Sequence, residues 1–323
     1  MRYRDLDERI RAECVRHLGL WMRTLPSRYL EPEYFKYLGW MLDDIHGPIR
    51  LETVRALASL YANESHLAAL GTFTERFKTR LLEIAFHDVE LSVRTTTIGV
   101  LGHIDKAGLL DDEKRSQIGL LVFEVEPRVR KAVAGFFERL WADETEEALE
   151  ALDVGAKKGR KGKKAADADG VDEAVRKRIG WKALAAMVGR FSQALDEAVG
   201  GADDEASQAL KGLSQAVRMR MTAPPRGRIA AAVESLWDHV PDLREWAELV
   251  DFLGLDHSRT VEGDDAADEA DEDAEKQAER AWKLDEDEEA LLVQVLLAVL
   301  GKAKAEADKV RSAPRLCIAG RLD

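Results

Sequence analysis

Cysteine is almost absent from the chain, since only Cys14 and Cys317 occur among 323 residues. Two thiols so far apart predict neither a disulfide framework nor a zinc site, and they favour a reducing compartment. The seven histidines are scattered, and none has the spacing to a second histidine and a carboxylate that metal-dependent hydrolysis uses. We therefore expect no metal and no cofactor.

Long apolar runs are also missing. The run "ALLVQVLLAVL" at 290–300 is too short to cross a bilayer as a helix, and the N-terminus lacks the apolar core of a signal peptide. We expect a soluble intracellular protein. The sequence also has no Walker loop, no Gly-x-Ser-x-Gly turn and no cysteine with an evident base. These absences favour a binding surface over an enzyme.

The chain is acidic, with a net charge of -13. Global attraction to nucleic acid is therefore not expected, and any such contact has to come from a local basic patch.

A short signature recurs four times in the first 150 residues. An aliphatic residue and an arginine open each copy, and apolar residues then recur every three or four positions. The arginines are Arg11, Arg50, Arg94 and Arg130, at intervals of 39, 44 and 36 residues. Periods near 40 residues are typical of HEAT or armadillo arrays. The sequence predicts an all-α fold, a HEAT/armadillo-like α-solenoid built as a superhelix of antiparallel helix pairs. The alternative is an irregular helical domain.

Composition divides the chain into seven predicted segments. They are HEAT repeats at 1–88 and 89–150, a basic disordered loop at 151–175, helical repeats at 176–257, an acidic linker at 258–285, a helix at 286–302 and an irregular tail at 303–323. The basic loop could be a nuclear-import signal or a loose phosphate contact. A solvated insertion without function is at least as good an interpretation.

The stretch "YFKYLGWML" at 34–42 combines four aromatic side chains with a lysine and a glycine. Wound as a helix, it has an apolar stripe that consists of Tyr34, Phe35, Leu38, Met41 and Leu42. The opposite side carries Glu33, Lys36, Tyr37 and Trp40. We expect the first set to hold the repeat together and the second set to face outward.

One repeat later, Phe73, Arg76, Phe77 and Arg80 stand at the same spacing. The helices of the two stretches should lie side by side, so the sequence predicts one patch of aromatics and cations. This composition is typical of interface hot spots, and a short acidic motif with Phe or Tyr would suit it. The alternative is that Trp40, Phe73 and Phe77 all pack inside the solenoid.

Arginines near the N-terminus could form a sparse basic edge for DNA. The candidates are Arg2, Arg4, Arg9 and Arg11, with Arg16, Arg50 and Arg55 beyond them. Arginines that open HEAT helices more often pair with acids of the next repeat. We expect at most weak, non-specific and salt-sensitive binding of double-stranded DNA.

Residues 2–88 closely resemble the stromalin conservative domain of the SA (STAG) subunits of cohesin. The matching elements are "RYRD", "IRAEC", "YFKYLGWMLDD", "GPIRLETVRALASLY" and "FTERFKTRLLEIAF", in the order of the family. The resemblance continues more weakly in "EPRVRKAVAGFF" and "AAVESLWDHVPDLREW" and covers about half of the chain. Members of the family are far longer, so we expect a truncated chain, of the fungal type.

The resemblance implies a non-catalytic HEAT-repeat subunit that binds the kleisin of cohesin and assists DNA entrapment in sister chromatid cohesion, on chromatin in the nucleus. It also implies a surface that captures aromatic linear motifs of chromatin regulators. The family's residues carry over to Tyr3, Lys36, Tyr37, Trp40, Phe73, Arg76 and Phe77, whereas Pro32 departs from the family pattern. The competing hypothesis is a HEAT-repeat adaptor in transport or signalling without a chromatin role.

Overall fold

The computed structural model describes residues 2–159, 173–199, 213–221, 225–257 and 281–312. All regular structure within these ranges is helical, which confirms the predicted all-α class. The α-helices are α1 (Glu8–Thr24), α2 (Pro26–Tyr29), α3 (Pro32–Met41), α4 (Gly47–Tyr61), α5 (Leu67–His87), α6 (Leu91–Lys106), α7 (Asp112–Gly119), α8 (Pro127–Gly159), α9 (Glu173–Val199), α10 (Gln215–Met221), α11 (Pro225–Leu236), α12 (Trp246–Leu253) and α13 (Glu286–Ser312).

The chain forms two compact units. One consists of Met1–Leu140 with Arg190–Pro225, and the other consists of Trp141–Gly189 with Arg226–Asp323. We refer to them as the first and the second unit.

In the first unit, the helices that carry the recurring arginines stack on one another in chain order. Helix α1 packs on α4, and α4 packs on α6, while α3 packs on α5 and α5 pairs with α6. Prolines in the first turn start α3 and α4, where a missing N–H group costs nothing. Leu38, Leu57 and Phe86 are fully buried between the layers. This stacking of helix pairs is the arrangement that the repeat predicts.

The recurring arginines bind acids of the following repeat. The pairs are Arg11 with Asp44, Arg50 with Asp88 and Arg94 with Glu124, at N–O distances of 2.9, 2.7 and 2.7 Å. Each acid lies six residues before the arginine of its own repeat. We call this series the arginine ladder. Arg11 and Arg50, two of the arginines considered for DNA contact, thus pair with acids of the next repeat, as does Arg94.

The rungs at Arg11 and Arg50 also hold the turn before their own helix, whereas Arg94 Nε donates to the Ala85 carbonyl of α5. Arg50 Nη1 donates to the carbonyl oxygens of Asp44 and Ile45 at 2.8 and 3.2 Å. Arg11 makes the same two bonds to the carbonyls of Asp5 and Leu6. One guanidinium therefore fixes a turn in its own repeat and a carboxylate in the next, which explains why the arginine recurs.

The ladder predicts a dependence of stability on acid. Burial raises the pKa of Asp44, but hydrogen bonds from Arg11 and from the His46 backbone outweigh this effect and leave the pKa below its ordinary value. A lowered pKa stabilises the fold above the unfolded-state pKa of about 4, and this stability is lost as pH falls through the folded-state value. We expect the free energy of unfolding to fall on acidification below about pH 4.

Urea titrations at a series of acidic pH values measure this effect. Asp44→Asn should have a shallower dependence than the unmodified chain, and the control Asp112→Asn should match the unmodified chain because the Asp112 side chain is fully exposed. Identical slopes for Asp44→Asn and the unmodified chain would show that the Asp44 carboxylate does not contribute.

In the second unit, tryptophans join the helices. Trp141 Nε1 donates to the Gly180 carbonyl at 2.6 Å, and its ring lies 5.8 Å from that of Trp181. Trp282 packs its ring against Phe252 at 6.1 Å, and helix α12 packs on α13. Trp282 is therefore core, although it falls in the segment predicted as an acidic linker. Residues 258–280 of that segment lie outside the described residues.

Two helices continue past their predicted ends. Helix α8 runs to Gly159, where the sequence predicts a loop from residue 151, and α13 runs to Ser312, ten residues beyond the predicted 302. Ala and Lys are frequent in both extensions, and their helix propensity favours continuation of each helix. Residues 160–172 of the predicted basic loop and 313–323 of the predicted tail lie outside the described residues.

Candidate functional site: an aromatic surface on helix α3

Helix α3 separates the aromatic stretch into two sides. Phe35, Leu38 and Met41 are buried, as is Leu42 after the helix. Tyr34 is only half-buried, with its ring 5.1 Å from that of Tyr29. The predicted core stripe is thus confirmed for its aliphatic residues and for Phe35.

The other side of α3 carries a cluster of three rings. Trp40 is 41% exposed. Tyr3, which precedes α1 in the chain, stacks on Trp40 with ring centroids 5.4 Å apart and meets Tyr37 edge-on at 5.0 Å. The Tyr37 and Trp40 rings are 5.6 Å apart and nearly perpendicular. We call Tyr3, Tyr37 and Trp40 the aromatic surface.

Two cations cover the edges of this surface. The Arg4 guanidinium lies 5.3 Å from the centroid of the Tyr3 ring and 5.8 Å from that of Trp40. The Lys36 ammonium lies 5.2 Å from the Tyr37 ring. Among the described residues, neither cation forms an ion pair with an acid. The aromatic surface is therefore electropositive at its edge, and its cations are available to a carboxylate.

Phe73 does not belong to the exposed patch that the sequence predicted. It is only 4% exposed, and its ring lies 5.7 Å from Phe35 and 4.6 Å from Phe77. The prediction assumed one apolar stripe on α5, but α5 packs on α3 as well as on α6, so that two of its sides are covered. Phe73 is part of the core between α3 and α5.

Phe77 and Arg76 lie at the border of this core. Phe77 is half-buried and Arg76 is exposed, with its guanidinium 5.5 Å from the Phe77 ring. Gly39 makes room for this ring, since a Cβ atom at position 39 would overlap Phe77 Cζ and lie 2.7 Å from Cε2. The glycine before the tryptophan thus allows α3 and α5 to approach closely.

The arginines predicted to contact DNA divide into two classes. Arg2, Arg4 and Arg9 are exposed. Arg11 is buried and binds Asp44 through both Nε and Nη2, so it is unavailable to a phosphate and the prediction for it is wrong. Arg50 is bound in the same way to Asp88.

Sequence reasoning assigned Arg4 to DNA and missed its place over the aromatic surface. The signal available in the sequence was its position directly after Tyr3, in a segment without helical periodicity.

In the part of the chain that the structure describes, no group of three His, Cys, Asp or Glu side chains is arranged to hold a metal ion. None of the described helices is both long and apolar enough to cross a membrane.

Comparison with known proteins gives one matching family model, the stromalin conservative domain, over residues 4–78. The chain is 34% identical over 135 residues to cohesin subunit psc3 of Schizosaccharomyces pombe, which covers 42% of this chain and 14% of psc3. It is 35% identical over 132 residues to sister-chromatid cohesion protein 3 of Arabidopsis thaliana, covering 41% of this chain and 12% of that protein.

A solved structure has the same fold. Cohesin subunit Scc3 from Z. rouxii matches 97% of this chain and 30% of its own length, with a TM-score of 0.58 and 21% identity. The matched region is thus a small part of each relative. The family model covers Tyr37 and Trp40 of the aromatic surface and the first rung of the arginine ladder, Arg11 with Asp44. The chain is thus similar to the stromalin conservative domain over residues 4–78 and to cohesin subunits of other organisms over about 42% of its length.

Proposed function

We propose that the chain acts as a non-catalytic scaffold subunit of cohesin in sister chromatid cohesion, on chromatin in the nucleus, without a cofactor. The observation that carries this proposal is the match to the stromalin conservative domain at residues 4–78, together with relatives named as a cohesin subunit and a sister-chromatid cohesion protein. The stacked helix pairs of the first unit supply an extended surface of the kind that binds polypeptide segments. We propose the kleisin of cohesin as the constitutive partner.

The aromatic surface is proposed as the capture site for short motifs with Phe or Tyr and neighbouring acids. Tyr37 and Trp40 offer large ring area at little cost in conformational entropy, and Tyr3 widens this area. A partner ring packed on Trp40 would place flanking carboxylates near Arg4 and Lys36, which have no acidic partner among the described residues. Charge and ring area therefore favour an acidic aromatic motif over a basic one.

Of the α5 residues, Arg76 and Phe77 are proposed to contact the motif, and Phe73 is proposed to support them from the core. Arg76 and Phe77 extend the site along α5, because Arg76 is exposed and lies over the Phe77 ring. Phe73 is too buried to contact a partner, and it supports Phe77 from the core side through a ring centroid distance of 4.6 Å. Weak DNA contact is proposed for the exposed Arg2, Arg4 and Arg9 alone, with the salt dependence of a phosphate-driven interaction.

Trp40→Ala is expected to weaken binding of an acidic phenylalanine peptide by about tenfold, because it removes the central ring of the surface. Fluorescence anisotropy with a labelled peptide measures this, for the chain alone and after co-purification with the middle segment of the cognate kleisin. Trp21→Ala is a matched control, since Trp21 is also 41% exposed and lies in the same unit but outside the aromatic surface.

Equal affinity of Trp40→Ala and the unmodified chain would exclude the aromatic surface from motif capture. Failure to co-purify with the kleisin segment would count against the scaffold function, whereas peptide binding without the kleisin would leave motif capture as an independent property.

A further inference from the structure

A short segment from far along the chain docks on the helix stack of the first unit. This segment, Leu213–Met221, contains α10 and packs on the 3₁₀ helix Leu120–Phe123, which lies between α7 and α8. Its side chains Leu213, Val217 and Met221 are 7%, 1% and 0% exposed. The segment thus covers an apolar site on the stack, and we call it the strap.

Polar contacts hold the strap to two neighbouring repeats. The Val125 N–H group donates to the Arg220 carbonyl at 3.0 Å, in the turn before α8. Arg220 Nη2 donates to the Phe86 carbonyl, and His87 Nε2 lies 3.2 Å from Ser214 Oγ, both at the C-terminal end of α5. The strap therefore bridges two repeats at the edge of the stack where their turns lie.

Arg220 shares the work of the third ladder rung. In the first two rungs, one arginine binds carbonyls before its own helix and the acid of the next repeat. In the third rung, Arg94 binds the Ala85 carbonyl and Glu124 at 2.9 and 2.7 Å. Arg220 binds the Phe86 carbonyl, and its Nε lies 3.6 Å from Glu124 Oε1. The strap thus lies over a site that accepts an arginine.

The third rung is complete without the strap, because Arg94 alone keeps Glu124 hydrogen-bonded. Arg220 Nε is buried and has no hydrogen-bond partner among the described residues. Burial lowers the pKa of the Arg220 guanidinium, and this effect is larger than the opposing attraction of Glu124. Docking therefore removes hydration from Arg220 and pairs it incompletely.

The apolar contacts of the strap are also few. Burial of Leu213, Val217 and Met221 has to offset the conformational entropy lost by the whole segment, and these two contributions are of similar size. Helix α10 has seven residues, too few for a helix that is stable alone, so its helical structure depends on docking. The strap is therefore weakly held, whereas the stack beneath it is closely packed.

We propose that the strap is a removable internal ligand of a peptide-binding site on the first unit. The site consists of the Phe86 carbonyl, the Glu124 carboxylate, the Val125 N–H group and the apolar surface beside them. Its ligands are segments like the strap, with an arginine and aliphatic anchors at the spacing of Val217, Arg220 and Met221. The strap opens without unfolding of the stack. This inference concerns neither the aromatic surface nor the proposed function.

The first test measures opening of the strap through a buried thiol. The chain carries Cys14→Ser, Cys317→Ser and Val217→Cys, and the rate of alkylation by a maleimide is measured. It should be at least about tenfold faster than for Val100→Cys, a buried position of α6, because local opening costs less free energy than opening of the stack.

Arg220→Met removes the donors of the guanidinium and keeps an apolar stem. It should speed alkylation of the Val217→Cys chain about tenfold and leave the Val100→Cys chain unchanged. Gln215→Ala is the matched control, because Gln215 lies on the exposed side of α10. Hydrogen exchange of the Val125 amide reports the same opening without a new thiol, and it should be faster in Arg220→Met than in Gln215→Ala.

The second test asks whether the site binds a peptide once the strap is released. Val217→Asp places a charge at a buried anchor and should displace the strap. A labelled peptide of residues 213–221, followed by fluorescence anisotropy, should bind this chain at least about tenfold more tightly than the unmodified chain, whose site is occupied. The Arg220→Met chain should have intermediate affinity, and the Arg220→Met peptide should bind about tenfold more weakly.

Three results would overturn the proposal. Equal alkylation rates of the Val217→Cys and Val100→Cys chains would show that the strap opens only with the stack. An unchanged rate in Arg220→Met would remove Arg220 from its retention. Peptide binding that is no tighter to the Val217→Asp and Arg220→Met chains than to the unmodified chain, or absent up to about 1 mM, would show that the strap covers no binding site.

Discussion

Arg50→Ala is expected to lower the free energy of unfolding by about 3–5 kcal/mol, the cost of removing one partner from a buried ion pair. Arg50 binds Asp88 through Nε and Nη2 at 2.7 and 2.8 Å, and the two side chains are 10% and 4% exposed. Its removal leaves the Asp88 carboxylate buried without a counter-charge and frees the turn carbonyls of Asp44 and Ile45. Urea denaturation followed by circular dichroism measures the loss.

Arg55→Ala provides the matched control, because Arg55 lies one turn further along α4 and binds Glu52 at the surface, at 2.7 Å. Exposed pairs contribute about 0–1 kcal/mol. The double change Arg50→Met with Asp88→Leu should be less destabilising than Arg50→Ala, since it leaves no charge unpaired. Equal losses for Arg50→Ala and Arg55→Ala would contradict a structural role of the ladder.

Gly39→Ala is expected to destabilise the first unit by about 1–3 kcal/mol, the range found for overpacked sites. In a helix, alanine is ordinarily favoured over glycine by about 1 kcal/mol. At position 39 this preference is reversed, because the added methyl group overlaps Phe77 Cζ and the ring already stacks on Phe73. Either α3 moves away from α5 or Phe77 turns out of its place.

Gly71→Ala in α5 is the matched control for Gly39→Ala. A Cβ atom at position 71 would meet no heavy atom within 4 Å, so this variant should gain about 0.5–1 kcal/mol from helix propensity. Combining Gly39→Ala with Phe77→Leu should recover part of the loss, and the two effects should not add. If Gly39→Ala were more stable than the unmodified chain, as expected for Gly71→Ala, the packing of α3 on α5 would have to accommodate the added methyl group without a loss of stability.

The sequence predicted the elements that depend on local pattern. The four recurring arginines gave the register of the repeat, and the spacing in "YFKYLGWML" gave the two sides of α3, with Trp40 outward and Leu38 inward. These predictions held because helical periodicity alone decides which side chains share a face.

Other features depend on which helices pack together, and periodicity does not contain that information. Phe73 was expected at the surface because α5 was given one covered side, while the fold covers two. The sequence around Arg11 is compatible with a DNA contact. Only the fold shows that Asp44, 33 residues away in the chain, binds the Arg11 guanidinium. Trp282 lies next to a dense acidic run, yet Phe252 and His257 surround it.

The arginine ladder also has a consequence for how the first unit unfolds. Each guanidinium binds the buried acid of the next repeat, and those of Arg11 and Arg50 also bind the turn of their own repeat, so the loss of one repeat exposes a buried charge in its neighbour. In repeat proteins, stability is a sum of intrinsic repeat terms and nearest-neighbour coupling terms. The ladder concentrates free energy in the coupling terms. The repeats joined by Arg11, Arg50 and Arg94 should therefore melt as one cooperative unit, and loss of a middle rung should divide this transition into two.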